Sequence, residues 1–337
     1  MLLPFDIPAE SKATCIVLAG DIGATKTNLA LYKENGINVT LLKEDHFKSN
    51  DYKNIIELAG AFLKDAPFPA VICFGVAGPV INGSAKLSNI EWEIHIDELM
   101  DHFKIKNIHL INDLEATAYG LAMLDEEDIS PLHKGVDEAV GNAAIIAPGT
   151  GLGEAGLFWD GDIYHPFATE GGHGDFAPRN EFDFEFYTFL QKQFGHVSWE
   201  RLVCGPGIVN IYAFLRDEKK RNEPAWLKEK LINADTAAVI SQHVMQSEIC
   251  QETMQLFIRY LAYEASNLVL KLKATGGLFI GGGIAPQMVP LFALNNFYSF
   301  FCQSGRLNYL LEKVPVKIIL NAKTALLGAA YYGIKNS

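Results

Sequence analysis

Three glycine-rich segments, each directly after a short apolar run, are the residues of this sequence with the most evident chemical use. They span residues 20–25 (Gly-Asp-Ile-Gly-Ala-Thr), residues 149–153 (Gly-Thr-Gly-Leu-Gly) and residues 281–283 (three glycines). Glycine lets the backbone approach phosphate oxygens closely, and threonine adds a hydroxyl donor. A single turn of this kind is typical of a hairpin with nothing bound, whereas two matched turns and a third glycine cluster favour a bound nucleotide.

Two common nucleotide-binding fingerprints do not fit these segments. The pattern G-x-x-x-x-G-K-[ST] has no match, because Thr25 stands where residues 20–26 would need a glycine. Residues 151–156 match G-x-G-x-x-G by spelling, but a dinucleotide fingerprint must open a helix. Here residues 155–159 continue as a predicted strand into an Asp-Gly turn. The dehydrogenase interpretation is therefore discarded.

A series of motifs resembles known families. Residues 21–25 resemble the D-x-G-x-T phosphate motif of the actin, Hsp70 and sugar-kinase ATPase superfamily. Six further motifs resemble those of the bacterial glucokinase family more closely. They are INDLEA at 111–116, GTGLG at 149–153, EGGHGDFAP at 170–178, GHVS at 195–198, GPG at 205–207 and GGGIAP at 281–286. The ordered set, from about residue 16 to residue 333, is specific. It implies an α/β, two-domain, actin-like ATPase (ribonuclease H-like) fold with a cleft between a smaller and a larger domain.

The resemblance implies ATP-dependent phosphorylation of glucose at its 6-hydroxyl, giving glucose 6-phosphate and ADP, the first step of glycolysis. In the family an Asn-Asp pair after a strand holds the sugar and the aspartate is the catalytic base; these positions are Asn112 and Asp113 here. Asp113 could instead simply cap the helix that follows. The remaining sugar ligands that the resemblance implies are Asn89, Glu170, His173 and Glu200.

Two of these ligands have other interpretations. His173 alone could be a structural or metal-binding histidine, but residues 174–192 contain no cysteine, so the zinc site of related kinases is not indicated. Glu200 could lie on a solvated face.

Nucleotide binding is implied at all three glycine-rich segments. Backbone N–H groups would hold the phosphates of ATP, Mg²⁺ would shield charge near Asp21, and adenosine would lie against residues 281–283. Domain closure would exclude water. The residues concerned are Gly20, Asp21, Gly23, Ala24, Thr25, Gly149, Thr150, Gly151, Gly281, Gly282 and Gly283.

The elements that must position these residues follow from apolar periodicity. Alternating runs around the first glycine-rich segment and at 38–42 predict an antiparallel meander with a turn at Asn35 and Gly36. Helices are predicted at 52–63, 96–103, 248–273 and 322–332, and further strands at 70–74, 108–111, 143–147, 155–159, 163–165 and 316–320. The strand–turn–strand pattern occurs at 20–25 and again at 149–153, which suggests two similar domains. We predict a small domain of residues 1–122 plus 321–337 and a large domain of residues 123–320.

Composition limits the function classes. The 337 residues fit two domains, and the 49% apolar content excludes a disordered chain. With 28 basic and 40 acidic residues the net charge is −12, which argues against binding nucleic acid through the overall field. The five cysteines are scattered and form no C-x-x-C pair, as expected of reduced thiols.

The sequence also indicates a compartment. Residues 274–305 carry no charged side chain, but glycines and two prolines interrupt them, so a membrane span is not predicted. The first residues lack a basic n-region and a long apolar h-region. We therefore expect a cytoplasmic protein without a membrane or nucleic-acid partner. The family resemblance implies a homodimer.

Three other functions stay open at this point. The chain could phosphorylate another hexose, such as mannose or an amino sugar. It could be a sugar-responsive repressor, although few residues precede the first predicted strand and a helix-turn-helix would need more. It could be a chaperone-type or filament-type ATPase, which would need no sugar ligands.

Overall fold

The computed structural model describes residues 3–6, 15–35, 38–87, 90–136 and 139–337. The chain divides into two compact units. The first unit comprises Met1–Ile129, Ala155–Ala168 and Asn321–Ser337, and the second comprises Ser130–Glu154 and Thr169–Leu320. The domain boundaries expected from the sequence, at residues 122/123 and 320/321, stay a prediction.

The first unit is built on a sheet flanked by helices. Its strands are β1 (Ile16–Ile22), β2 (Lys26–Asn35), β3 (Asn38–Lys48), β4 (Val71–Val76), β5 (Val80–Ile81), β6 (Ser84–Lys86), β7 (Glu93–His95) and β8 (Asn107–Asn112). Its helices are α1 (Ile55–Leu63), α2 (Ile96–Phe103), α3 (Asp113–Gly120) and, from the end of the chain, α12 (Thr324–Lys335). The main sheet has the order β3-β2-β1-β4-β8, and a small sheet has the order β5-β6-β7.

The antiparallel meander predicted for the start of the chain is confirmed. β1 pairs antiparallel with β2 and β2 with β3, whereas β4 and β8 run parallel to β1. Of the predicted turn, Gly36 lies outside the described residues. The first helix begins three residues later than predicted, because the side chain of Asn54 accepts a hydrogen bond from Glu57 N at 2.9 Å and caps it.

Alternation along the strands gives this sheet two apolar faces. Leu18 and Phe74 point to the face covered by α1 and α2, where Leu58 is fully buried. Ala19 and Ile111 belong to the opposite face, which packs against α3 and α12. β1 and β4 therefore bury both faces, which is typical of a sheet with parallel strands and helices on each side.

The second sheet has the order β12-β11-β10-β13-β14-β9. These strands are β9 (Ile129–His133), β10 (Ala143–Pro148), β11 (Leu152–Trp159), β12 (Tyr164–Thr169), β13 (Gly277–Ile280) and β14 (Val316–Ile319). Without β9, the order has the same pattern as the first sheet: a three-strand meander followed by two parallel strands. The repeated sequence pattern at 20–25 and 149–153 thus corresponds to equivalent hairpins, and residues 151–156 lie at and within strand β11 rather than opening a helix, as predicted.

The second unit is rich in helices. They are α4 (Glu181–Phe194), α5 (Gly205–Asp217), α6 (Ala225–Leu231), α7 (Thr236–Gln242), α8 (Glu248–Leu272), α9 (Val289–Leu294), α10 (Phe297–Phe301) and α11 (Asn308–Leu311). The long helix predicted at 248–273 is confirmed as α8, and most of its residues are buried. The uncharged residues 274–305 form β13, turns and short helices, and no helix among the described residues is long and apolar enough to cross a membrane. All five cysteines are free thiols.

Candidate active site

Polar side chains of the first unit collect where its parallel strands end. Asp21 on β1 is in register with Gly75 on β4, and Gly75 is in register with Ile111 on β8. Asn112 ends β8 and Asp113 begins α3. Because the carboxyl ends of parallel strands meet at one edge of a sheet, Asp21, Asn112 and Asp113 share that edge. The structure therefore brings together the predicted phosphate motif and the predicted sugar-binding pair.

Asp21 is held by the neighbouring strand. Its Oδ2 accepts a hydrogen bond from Nδ2 of Asn28, its cross-strand partner, at 3.0 Å, and Nδ1 of His46 lies 2.8 Å from Asn28 Oδ1. Burial raises the pKa of Asp21, against the opposing effects of the Asn28 hydrogen bond and the charge of Lys26. A cation beside this carboxylate would favour its ionised form.

Ser49 stabilises the turn after Asp21 through two hydrogen bonds. The Ser49 hydroxyl donates to Gly23 O at 2.6 Å, and Ser49 N donates to Thr25 O at 3.2 Å. Gly23 N donates to Lys26 O at 3.0 Å within the turn itself. The backbone N–H of Gly23 is therefore already used, so the N–H groups of Ala24 and Thr25 are the better candidates for phosphate contacts.

Gly20 has a packing role that the sequence did not indicate. A Cβ atom at this position would lie 2.5 Å from Cδ1 of Phe74 and 2.9 Å from Cδ1 of Ile22. Such distances are too short for a side chain, so glycine is required here by the apolar core beneath the turn.

Asn112, rather than Asp113, is the N-cap of α3. Its Oδ1 accepts hydrogen bonds from Leu114 N at 2.9 Å and Glu115 N at 3.2 Å, and its Nδ2 donates to Gly78 O at 3.1 Å. Asp113 is the first helical residue, where the helix N-terminus stabilises negative charge. The helix that Asp113 could cap by its sequence position thus begins at Asp113 itself and is capped by the residue before it. Asn89, the remaining sugar ligand predicted in this part of the chain, lies outside the described residues.

The other predicted sugar ligands lie on two adjoining short turns of the second unit. Glu170 precedes the 3₁₀ turn Gly171–His173, and Glu200 lies within the 3₁₀ turn Trp199–Arg201. Trp199 N donates to Gly174 O at 3.0 Å, which ties the two turns together. Glu170 and His173 are exposed, so their side chains are accessible to a ligand.

Glu200 also supports the second glycine-rich turn. Its Oε2 accepts a hydrogen bond from Leu152 N at 3.0 Å, and a Cβ on Gly151 would overlap this carboxylate. The turn is closed by a bond from Gly149 N to Gly151 O at 2.8 Å. Glu200 is therefore tied to the predicted phosphate-binding turn as well as to the predicted sugar ligands.

The third glycine cluster lies beside this turn. β10 and β13 are parallel neighbours with Ile146 in register with Ile280, so residues 149–151 and 281–283 leave the sheet at the same edge. Gly282 has φ of 78°, and a Cβ there would overlap Pro148 O. A Cβ at Gly283 would meet nothing within 4 Å. Two of the three glycine-rich segments thus adjoin, with open space at Gly283.

Sequence reasoning missed one buried charged residue next to these turns. Glu154 is on β11, is 1% exposed, and neither of its carboxyl oxygens has a hydrogen-bond partner among the described residues. A Cβ on Gly171 would overlap its Oε2. The available signal was a glutamate inside an otherwise apolar strand.

Known proteins of one family are similar to this chain over nearly its whole length. Residues 18–336 match the protein-family model described as Glucokinase. A relative named glucokinase from Trichormus variabilis is 40% identical over 336 aligned residues, which cover 94% of this chain and 98% of the relative.

Solved structures agree. The crystal structure of glucokinase from an Antarctic psychrotroph has a TM-score of 0.80 and 30% sequence identity, covering 96% of this chain and 99% of that one. A ROK-family glucokinase from Streptomyces griseus, solved in complex with glucose and AMPPNP, has a TM-score of 0.67 and 17% identity, covering 94% of this chain and 98% of that one. The predicted actin-like ATPase fold is confirmed.

Proposed function

The chain belongs to the glucokinase family, and from this premise we propose that it transfers the terminal phosphoryl group of ATP to the 6-hydroxyl of glucose. The products are glucose 6-phosphate and ADP. The observation that carries the proposal is the family match over residues 18–336, which includes every predicted site residue. The glucose and AMPPNP in the Streptomyces griseus relative support the same pair of substrates.

Asp113 is the proposed catalytic base. Its carboxylate accepts the proton of the glucose 6-hydroxyl as that oxygen attacks the γ-phosphorus, and the bond between this phosphorus and the oxygen bridging to the β-phosphate breaks. Asn112 supports this role, because its cap fixes the first turn of α3, on which Asp113 lies. The proton transfer thus depends on a residue at the start of a fixed helix, a position suited to accurate alignment.

The other sugar ligands are proposed by family resemblance. Glu170, His173 and Glu200 would bind further hydroxyl groups of glucose, since carboxylates accept and imidazole N–H groups donate hydrogen bonds. The exposure of Glu170 and His173 supports this assignment. Asn89 would complete the set.

Backbone groups are proposed to hold the phosphates. In the first unit they are the N–H groups of Ala24 and Thr25, on the turn that Ser49 braces. In the second unit they are those of Thr150 and Gly151, and the open space at Gly283 suits an adenosine against the backbone. This arrangement explains how a chain with a net charge of −12 can bind an anion.

Mg²⁺ is proposed to bind at Asp21. Among the described residues no group of three or more metal-ligating side chains comes together. This fits Mg²⁺ in kinases, which is bound by one or two carboxylates together with substrate phosphates and water. The ion would supply charge neutralisation at the phosphates, and Asn28 would orient the carboxylate that holds it.

A cytoplasmic homodimer with the predicted two-domain division completes the proposal. The family resemblance supports the homodimer, and the strand–turn–strand pattern that recurs at 20–25 and 149–153 supports the two domains.

The test is ADP release by the purified chain against a panel of glucose, mannose, fructose and glucosamine. We expect release that depends on sugar and has its highest kcat/KM with glucose. ADP release that is the same with and without any sugar would contradict the proposal. A higher kcat/KM for another hexose would show that this hexose, and not glucose, is the preferred substrate.

A further inference from the structure

Two buried glutamates lie behind the turn that carries Glu170 and His173. Glu154 on β11 and Glu264 on α8 are 1% and 0% exposed. Glu264 has partners, since Asn267 Nδ2 donates to its Oε2 at 2.7 Å and Lys271 Nζ lies 3.2 Å from its Oε1. Glu154 has no such donor in the described part of the chain. Lys271 is therefore bound to Glu264 and not to Glu154.

A buried carboxylate without a donor is strongly unfavourable, whereas a protonated carboxyl can donate to an ionised neighbour. The charge of Glu264 acts on Glu154, and a hydrogen bond between these two carboxyl groups requires that one of them carries a proton. Because Lys271 and Asn267 already stabilise charge on Glu264, the proton belongs on Glu154.

The Glu154 carboxyl is in direct contact with the sugar-site turn. A Cβ on Gly171 would overlap Glu154 Oε2, so this carboxyl fills the space behind that glycine. Thr169 adds a second link, because its hydroxyl donates to Glu154 O at 2.9 Å and accepts from Gly171 N at 3.2 Å. The residue between Thr169 and Gly171 is Glu170.

We propose that Glu154 is a positioning residue of the sugar site: as a neutral acid hydrogen-bonded to Glu264, it supports the backbone of Gly171 and so fixes Glu170 and His173. The inference rests on the proposed function, because it assigns a role through those two sugar ligands. Ionisation of Glu154 would place a second negative charge behind the turn and weaken glucose binding.

The electrostatics of the pair agree with this geometry. Burial, and then the charge of Glu264, raise the pKa of Glu154 to about 8, against the opposing charge of Lys271. Burial also raises the pKa of Glu264, against its hydrogen bonds from Asn267 and Lys271. The charge of Arg179 also acts on Glu264. The raised pKa favours the neutral form of Glu154 at neutral pH.

The variant Glu154→Gln tests the proposal, because an amide donates to Glu264 as the neutral acid does but cannot ionise. KM for glucose is measured from pH 6.5 to 9.5 at saturating ATP. We expect equal KM values for both proteins at pH 6.5. At pH 9 we expect the wild-type KM to have risen about tenfold, as for a group of pKa near 8 whose ionised form does not bind, and that of Glu154→Gln to stay flat. Superimposable KM profiles would overturn the inference.

A second variant pair tests the contact itself. Gly171→Ala forces a methyl group into the carboxyl of Glu154, and we expect it to raise KM for glucose. Glu154→Ala makes room for that methyl, so the double variant should bind glucose better than Gly171→Ala alone. Additive losses in the double variant would contradict the contact.

Asp183→Asn is the matched control for loss of a buried carboxylate. Asp183 is fully buried in the same unit and accepts from Arg259 and Tyr260, each at 2.9 Å. We expect a less stable protein whose KM for glucose still rises above pH 8. Loss of that rise in Asp183→Asn would overturn the assignment to Glu154. A wild-type chain without glucose-dependent ADP release at any pH would overturn the proposed function and this inference together, whereas superimposable profiles in an active kinase overturn the inference alone.

Discussion

Asp113 begins its helix directly above Gly75. A Cβ placed on Gly75 would lie 3.6 Å from the Cα of Asp113 and 2.9 Å from the Cβ of Ala116. The first turn of α3 therefore packs on bare backbone of β4, one strand away from Asp21. The position of the proposed base depends on the absence of a side chain at residue 75.

Gly75→Ala, a substitution inside strand β4, should therefore lower kcat. The added methyl pushes α3 away from β4, which we expect to lower kcat at least about tenfold through misplacement of Asp113. The free energy of unfolding should fall by about 1–3 kcal/mol, as for overpacking. Steady-state kinetics and urea denaturation measure the two effects.

Gly60→Ala is the control for that substitution. Gly60 is an exposed position of α1, and a Cβ there meets nothing within 4 Å. We expect unchanged kinetics and a gain in stability of up to about 1 kcal/mol from helix propensity. A Gly75→Ala enzyme as active as Gly60→Ala would show that α3 tolerates the displacement.

Asp113→Asn should abolish most phosphoryl transfer while the protein stays folded. An amide cannot accept the hydroxyl proton, and removal of a general base costs roughly a factor of 10² to 10⁴ in kcat. Glu115→Gln, in the same helical turn, is the control and should keep near wild-type kcat. Normal kcat in Asp113→Asn would remove Asp113 from the role of base.

Glu200→Ala should weaken ATP binding as well as glucose binding. The carboxylate accepts from Leu152 N at 3.0 Å, next to the turn proposed to hold phosphates. Loss of a hydrogen bond of about 1 kcal/mol should raise KM for ATP about fivefold. Glu229→Ala, an exposed glutamate on α6, should change neither KM. A rise confined to KM for glucose would show that Glu200 acts as a sugar ligand only.

Stability should depend on pH through Glu154. Its pKa is raised above the ordinary glutamate value of 4.5 to about 8. The contribution of Glu154 to the free energy of unfolding is therefore fully present below pH 4.5 and is lost as pH rises through 8. The slope is at most about 1.4 kcal/mol per pH unit. Relative to wild type, Glu154→Gln should become more stable between pH 6 and pH 8, measured by urea denaturation. A constant difference would contradict the raised pKa.

The sequence allowed the strands of the first sheet and both glycine-rich hairpins to be predicted, because alternation and glycine placement are local signals. The buried run of β4 and the long helix α8 were likewise evident from apolar periodicity. Register between distant strands is not local. The alignment of Asp21 with Gly75 follows from the pairing of β1 with β4, which no motif encodes.

The supporting residues of the site were harder to predict for the same reason. Ser49 braces the first turn from more than twenty residues away, and Glu264 reaches Glu154 from another element. Glu200 was assigned to the sugar by resemblance, while its bond to Leu152 N became evident only in three dimensions. The sequence does not distinguish Asn112 from Asp113 as the cap of α3, because asparagine and aspartate are equally good N-caps.

The central claim is tested most directly by the stoichiometry of the products. Purified chain, ATP, Mg²⁺ and glucose are incubated, and ADP and glucose 6-phosphate are quantified in the same samples with separate coupled enzymes. We predict one glucose 6-phosphate for each ADP, and neither product above background when glucose is omitted. ADP formed without glucose 6-phosphate would contradict the account.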